Sequence, residues 1–217
     1  MPDCVIIDCG IGNLRSVQKI FERLDVNARI TASRDDIASA SAIVLPGVGA
    51  FGDAMRQLES DGLVDVIRRE VTENGKPLLG ICLGMQLLAR SSDESPDVPG
   101  IGIIPADVVS FDVVEHKDWR GRELTLPHIG WNDVETADSS RLFEGIEPGT
   151  DFYFVHGLHL QPDTEDWIAA RCSYGISFAA ALEKDNIFAV QFHPEKSQKQ
   201  GQQVISNFIA ASGFGSK

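Results

Sequence analysis

Apolar residues over the first ninety positions alternate between two rhythms. Short continuous runs, Val5-Ile6-Ile7, Ala42-Ile43-Val44-Leu45 and Pro77-Leu78-Leu79-Gly80-Ile81, have the length of strands buried on both faces. Between them, apolar residues three and four apart mark helices. Leu14, Val17, Ile20, Phe21 and Leu24 fall on one face of a helix over residues 14–24. The pattern predicts further helices over 35–40, 51–59, 63–72 and 83–89, and a short strand near 28–31. Cys9-Gly10-Ile11-Gly12-Asn13, Pro46-Gly47 and Asn74-Gly75 interrupt these segments where turns are needed. Strands alternating with helices imply right-handed parallel crossovers in an open sheet.

After Ser91 the rhythm changes. Residues 91–99 read as a polar loop, and short strands follow over 106–114, 152–155, 167–172, 178–183 and 187–192. Lys184-Asp185-Asn186 is a turn that makes the last two a hairpin. A closing helix over 202–211 carries Val204, Ile205, Phe208 and Ile209 on one face. With no repeat and no long linker, residues 1–217 are expected to form one α/β domain. Its sheet would be open, mixed and largely parallel, flanked by helices, with added antiparallel strands in the C-terminal half.

Composition narrows the class. The chain is 43% hydrophobic and 24% charged over 217 residues, a globular balance that excludes disorder. Nineteen Lys and Arg against 32 Asp and Glu give a net charge of −13, which repels phosphate backbones, so no nucleic-acid partner is expected. No apolar stretch approaches the ~20 residues of a membrane span, and Met1-Pro2-Asp3 begins no cationic leader. A cytoplasmic protein is expected. Cys4, Cys9, Cys82 and Cys172 lack any CxxC or zinc spacing and read as reduced thiols, with Cys4 and Cys172 in the core. His116, His128, His156 and His159 lack metal-ligand spacing; neither a metal nor a cofactor is expected. Trp131 reads as a core residue unless a partner docks on it.

Chemistry concentrates in two places. Gly80-Ile81-Cys82-Leu83-Gly84 sits between an apolar strand and a helix and has the form of a nucleophile elbow, with Cys in place of Ser. Small residues two positions to either side permit a sharp turn, and the positive end of a helix dipole favours a thiolate. The plain alternative is a buried structural cysteine. His193-Pro194-Glu195 follows the strand end Ala189-Val190-Gln191-Phe192. There His193 can move protons while Glu195 fixes its tautomer, or the pair can be a loop histidine beside a solvated carboxylate. Gly47-Val48-Gly49-Ala50-Phe51-Gly52 matches the dinucleotide fingerprint G-x-G-x-x-G but follows the wrong strand; it can instead present backbone N–H groups as an oxyanion hole. Both it and the Gly10–Gly12 loop can also be ordinary tight turns.

The segment from Gly80 through Met85 and Gln86, with a distant His193-Pro194-Glu195, resembles the class I, triad-type glutamine amidotransferases. Residues 8–17, 46–55, 127–132 and 193–198 narrow the likeness to the glutaminase subunits of imidazole glycerol phosphate synthases, over nearly the whole chain. The resemblance implies that Cys82, His193 and Glu195 hydrolyse glutamine, with N–H groups near Val48 and Leu83 as the oxyanion hole. It places Gly47, Gly49 and Gln86 around the glutamine, and Asn13, Trp131 and Lys196 on a partner face. The implied partner is a (β/α)8-barrel cyclase subunit, forming a heterodimer that carries ammonia to a ribonucleotide in histidine biosynthesis. Two positions depart from the family: Cys9 stands where tyrosine is usual, and Gly157-Leu158 follows His156 where Ser or Thr and then Tyr are usual. They leave open a paralogue that feeds another synthase, such as one aminating a surface sugar, or a non-catalytic docking subunit.

Overall fold

In a computed structural model, residues 3–10, 12–111, 117 and 123–215 are described. The first half runs β1 (Cys4–Ile7), α1 (Leu14–Arg23), β2 (Ala28–Thr31), α2 (Arg34–Ser39), β3 (Ala42–Gly47), α3 (Phe51–Ser60), α4 (Leu63–Thr72), β4 (Leu78–Cys82) and α5 (Leu83–Leu87). The second runs β5 (Ser91–Ser92), β6 (Ala106–Ser110), β7 (His128–Thr136), β8 (Thr150–His156), β9 (Leu158–Pro162), β10 (Ile168–Tyr174), β11 (Ile176–Lys184), β12 (Ile187–Val190) and α6 (Gln198–Ser212). One nine-stranded sheet has the order β2-β1-β3-β4-β12-β11-β10-β7-β8; β5, β6 and β9 form a small second sheet. The strands from β2 to β12 are parallel, and those beyond are antiparallel.

Strand side chains alternate between faces, so the parallel half carries two cores. Cys4, Ile6, Val44, Ile81, Phe188 and Val190 pack with α1 and α6; Val5, Ile7, Ile43, Leu45, Leu78 and Ala189 pack with α2 to α5. This double burial is why those strands read as unbroken apolar runs. Because β3, β4 and β12 are parallel neighbours, their carboxyl ends lie side by side at one edge of the sheet. Such an edge is where open α/β sheets bind ligands.

The structure revises several boundaries. β3 runs through Pro46 to Gly47 instead of stopping at Leu45. Its pairing with β1 ends at Val44 while that with β4 continues to Gly47↔Cys82, so the proline sits where only one neighbour remains. The expected polar loop contains β5, whose Ser91 and Ser92 pair with Asp107 and Val108. β7 and β9 carry too many polar residues to announce themselves as strands. The expected strand over 106–114 ends at Ser110; its residues 112–114 lie outside the described residues, as does His116. The last helix begins four residues earlier than its apolar pattern, at Gln198.

Candidate active site

The β4–α5 junction forms the elbow that its glycines require. Cys82 has φ 54° and ψ −112°, a left-handed conformation rare for a non-glycine residue and costing on the order of 1–3 kcal/mol. Glycine is needed on both sides. A Cβ on Gly84 would lie 1.7 Å from the Leu45 carbonyl oxygen, and one on Gly80 would lie 2.9 Å from Met85 Cα. The close approach of α5 to β3 thus brings Cys82 beside the Gly47–Gly49 loop. A Cβ on Gly47 would itself lie 3.1 Å from Leu83 Cβ.

His193 and Glu195 stand at the end of β12, one strand away. His193 Nδ1–H donates to Glu195 Oε1 at 2.8 Å, and both side chains are almost fully buried. Ser197 pins the turn to β8: its hydroxyl donates to the His193 carbonyl at 2.7 Å and accepts from Tyr153 N–H at 3.0 Å. The His193 N–H donates to the Tyr153 carbonyl at 2.9 Å. Burial is the strongest influence on the His193 imidazole and lowers its pKa. Hydrogen bonds and charge from Cys82 and Glu195 more than reverse it, leaving His193 raised to about 9. The two contacts therefore favour the protonated imidazole, set between the Cys82 sulfur and the Glu195 carboxylate.

Cys82 and His193 open onto a cleft of about 170 Å³ lined also by Val48, Gly49, Leu83, Gln86, Gly157 and Leu158. Of the residues expected at the site, these and the triad candidates converge; Gly47 instead lines a smaller crevice with Val48, His193 and Glu195. Gln86 is anchored by donating to the Leu158 carbonyl at 3.1 Å and to Gln191 Oε1 at 3.0 Å. Two residues that the sequence reading passed over also reach the site. Glu94, in the supposed polar loop, faces the cleft, and its Oε2 accepts the Phe51 N–H at 2.6 Å. Gln191 is fully buried, and its Nε2 lies 3.8 Å from Cys82 Sγ. A lone amide in an apolar strand was the available signal.

The same Glu94 contact corrects the dinucleotide alternative. In that fingerprint a pyrophosphate sits at the helix N-terminus; here, at the start of α3, a carboxylate already takes the N–H. Trp131 is 44% exposed, so of its two readings, core residue or partner contact, it is not the core residue. It meets Tyr153 edge-on at 5.9 Å, and Lys196 Nζ lies 5.6 Å from the centroid of the Tyr153 ring. Asn13 is also exposed and caps α1 by accepting from Ser16 N–H. Cys9 is buried, its thiol donating to the Pro46 carbonyl at 3.7 Å.

A strained cysteine elbow, a His-Glu pair and this sheet order define a class. The chain belongs to the class-I glutamine amidotransferase family, whose sequence profile matches residues 5–211. It is 48% identical over 208 residues to the imidazole glycerol phosphate synthase subunit HisH of Geobacter sulfurreducens, covering 96% of this chain and 98% of that one. It is 47% identical over 206 residues to the same subunit of Syntrophotalea carbinolica, covering 94% and 98%. A crystal structure of a glutamine amidotransferase superposes with a TM-score of 0.74 at 20% identity, over 97% of this chain and 99% of that one, a likeness of fold.

Proposed function

We propose that this chain hydrolyses glutamine to glutamate and ammonia and hands the ammonia to the cyclase subunit of an imidazole glycerol phosphate synthase. The observation that carries the reading is His193, hydrogen-bonded to Glu195 and facing one cleft with Cys82 at the strained elbow. The Cys82 thiolate attacks the side-chain amide carbon, and the oxyanion forms against the N–H groups of Val48 and Leu83. Leu83 opens α5, so its N–H has no partner within the helix. As the C–N bond breaks, the nitrogen takes a proton from His193 and leaves as ammonia, with a thioester remaining on Cys82. Neutral His193 then takes a proton from water, whose oxygen attacks the thioester; glutamate leaves and the thiolate–imidazolium pair returns. Each oxyanion donor of this kind contributes ~2.7–4 kcal/mol.

Gly49, Gln86 and the backbone at Gly157 and Leu158 surround the substrate, and the Glu94 carboxylate suits its α-ammonium group. Gly47 supports the same loop. Backbone contacts at Gly157-Leu158 serve without the hydroxyl and tyrosine common in the family. Asn13, Trp131 and Lys196 form the face toward a (β/α)8-barrel cyclase, giving a cytoplasmic heterodimer in which residues 1–217 are one amidotransferase domain. The similarity to HisH subunits over nearly their full length supports this partner.

The test is glutamate release from glutamine by the chain alone, then with a cyclase subunit and its nucleotide ligand. We expect strong stimulation by the partner and complete loss in Cys82→Ala. Equal inertness of wild type and variant in the presence of the cyclase would reject the reading.

A further inference from the structure

We propose that Gln191 is a further catalytic residue, an amide that donates a hydrogen bond to the Cys82 sulfur and steadies its thiolate. The proposal rests on the reading of Cys82 as the nucleophile. Gln191 Nε2 lies 3.8 Å from Cys82 Sγ, and sulfur takes its hydrogen bonds at greater length than oxygen does. The rest of the amide is spoken for in a way that decides its orientation. Gln86 offers two N–H groups, one to the Leu158 carbonyl and the other to Gln191 Oε1. The oxygen of Gln191 therefore faces Gln86, and its NH2 group faces the sulfur.

The anchor is itself braced. The Leu158 carbonyl also accepts from His156 Nδ1–H at 2.8 Å. That bond leaves His156 Nε2 as an acceptor, which His128 Nδ1–H fills at 3.0 Å from the directly opposed position on β7. A single run of hydrogen bonds thus connects His128, His156, Leu158, Gln86 and Gln191 to the nucleophile.

Position along the chain points the same way. Phe188 and Val190 face the α6 side of the sheet and Ala189 the α5 side, so alternation sends Gln191 toward α5. Its backbone N–H continues the sheet, donating to the Ala180 carbonyl at 2.8 Å. Folding does not call for an amide here: an apolar side chain of similar size would satisfy the strand, and a buried polar group is costly without good partners. Its partners are a glutamine of the cleft and the reacting sulfur.

The test compares wild type with Gln191→Glu and Gln191→Met. The glutamate keeps the shape and still accepts from Gln86, but turns an anionic oxygen to the sulfur; the methionine keeps the size with no donor. Cys82 alkylation by iodoacetamide, with the modified peptide mapped by mass, reads the thiolate without glutamine. Glutaminase assays with the cyclase subunit give kcat and KM. For both variants we expect alkylation and kcat to fall about tenfold or more, the effect of a lost hydrogen bond to a charged group, with KM within about twofold. Variants that keep wild-type melting temperatures, alkylation and kcat would overturn the proposal. A raised KM with unchanged alkylation would also overturn it, reducing Gln191 to a prop for Gln86. Wild-type Cys82 that resists alkylation would overturn the thiol reading itself, and this proposal with it.

Discussion

His193 sits well above the free histidine value of 6.5 because Cys82 and Glu195 outweigh its burial. On the proposed mechanism the protonated imidazole feeds the departing ammonia, so kcat should hold through neutral pH and decline as pH rises through about 9. Glu195→Gln removes one of the two raising partners. The alkaline limb of the pH–rate profile should move to lower pH, with kcat reduced on the order of a hundredfold or more. A profile left in place by that change would mean that Glu195 does not act on the imidazole. The three residues of the proposed triad were legible as candidates in sequence because each sits in a local pattern: glycines around Cys82, and a proline between His193 and Glu195. Gln191 and Glu94 were not. A single amide in an apolar run and one acid in a polar loop acquire meaning only when β12 and the 91–99 segment fold against α5 and α3.

At the scale of elements, two contacts hold the machinery in register: α5 against β3, and α6 against the His-Pro-Glu turn. The first needs Gly84. The second needs Gly201, where a Cβ would lie 1.9 Å from the Pro194 carbonyl oxygen. Gly201→Ala should push α6 outward and tilt the turn that bears His193. The cost is that of overpacking, ~1–3 kcal/mol, which for a domain of this size lowers the melting temperature by roughly 2–4 °C per kcal/mol. Thermal unfolding beside kcat reads both consequences. Elements with strong periodicity were predicted well: α4 spans the expected residues and β2 likewise. Those made by pairing alone, β5, β7 and β9, escaped prediction because their partners lie 16 or more residues away in sequence and their mixed polar and apolar side chains follow no clean apolar code.

Across the whole molecule, four buried histidines pull stability in opposite directions, with His159 lowered by burial on the same side as His128 and His156. Burial lowers His128 to about 4 and His156 to about 3. Both fold neutral, so the stability they support is present above 6.5 and is lost as pH falls toward those values, because the unfolded chain binds the protons. The raised His193 has the reverse sign: its contribution is complete below 6.5 and is lost as pH climbs through about 9. Urea unfolding between pH 4 and 9 should therefore show a maximum near pH 6.5, and replacing His128 and His156 together by glutamine should flatten the acid side. The exposed Trp131, braced by Tyr153, makes a separate prediction. Trp131→Ala should weaken cyclase binding by about tenfold, as aromatic anchors do, without lowering the melting temperature of the free subunit; titration with the partner measures the first.

The left-handed backbone at Cys82 has an evolutionary consequence. Glycine would relieve the distortion, so Cys82→Gly should melt several degrees higher than wild type while losing all glutaminase activity. Thermal unfolding of that variant measures the difference directly. A lineage released from the need for the thiol would find stabilising replacements within one substitution of this codon's residue. A cysteine held at so uncomfortable a position costs stability that glycine in its place would return.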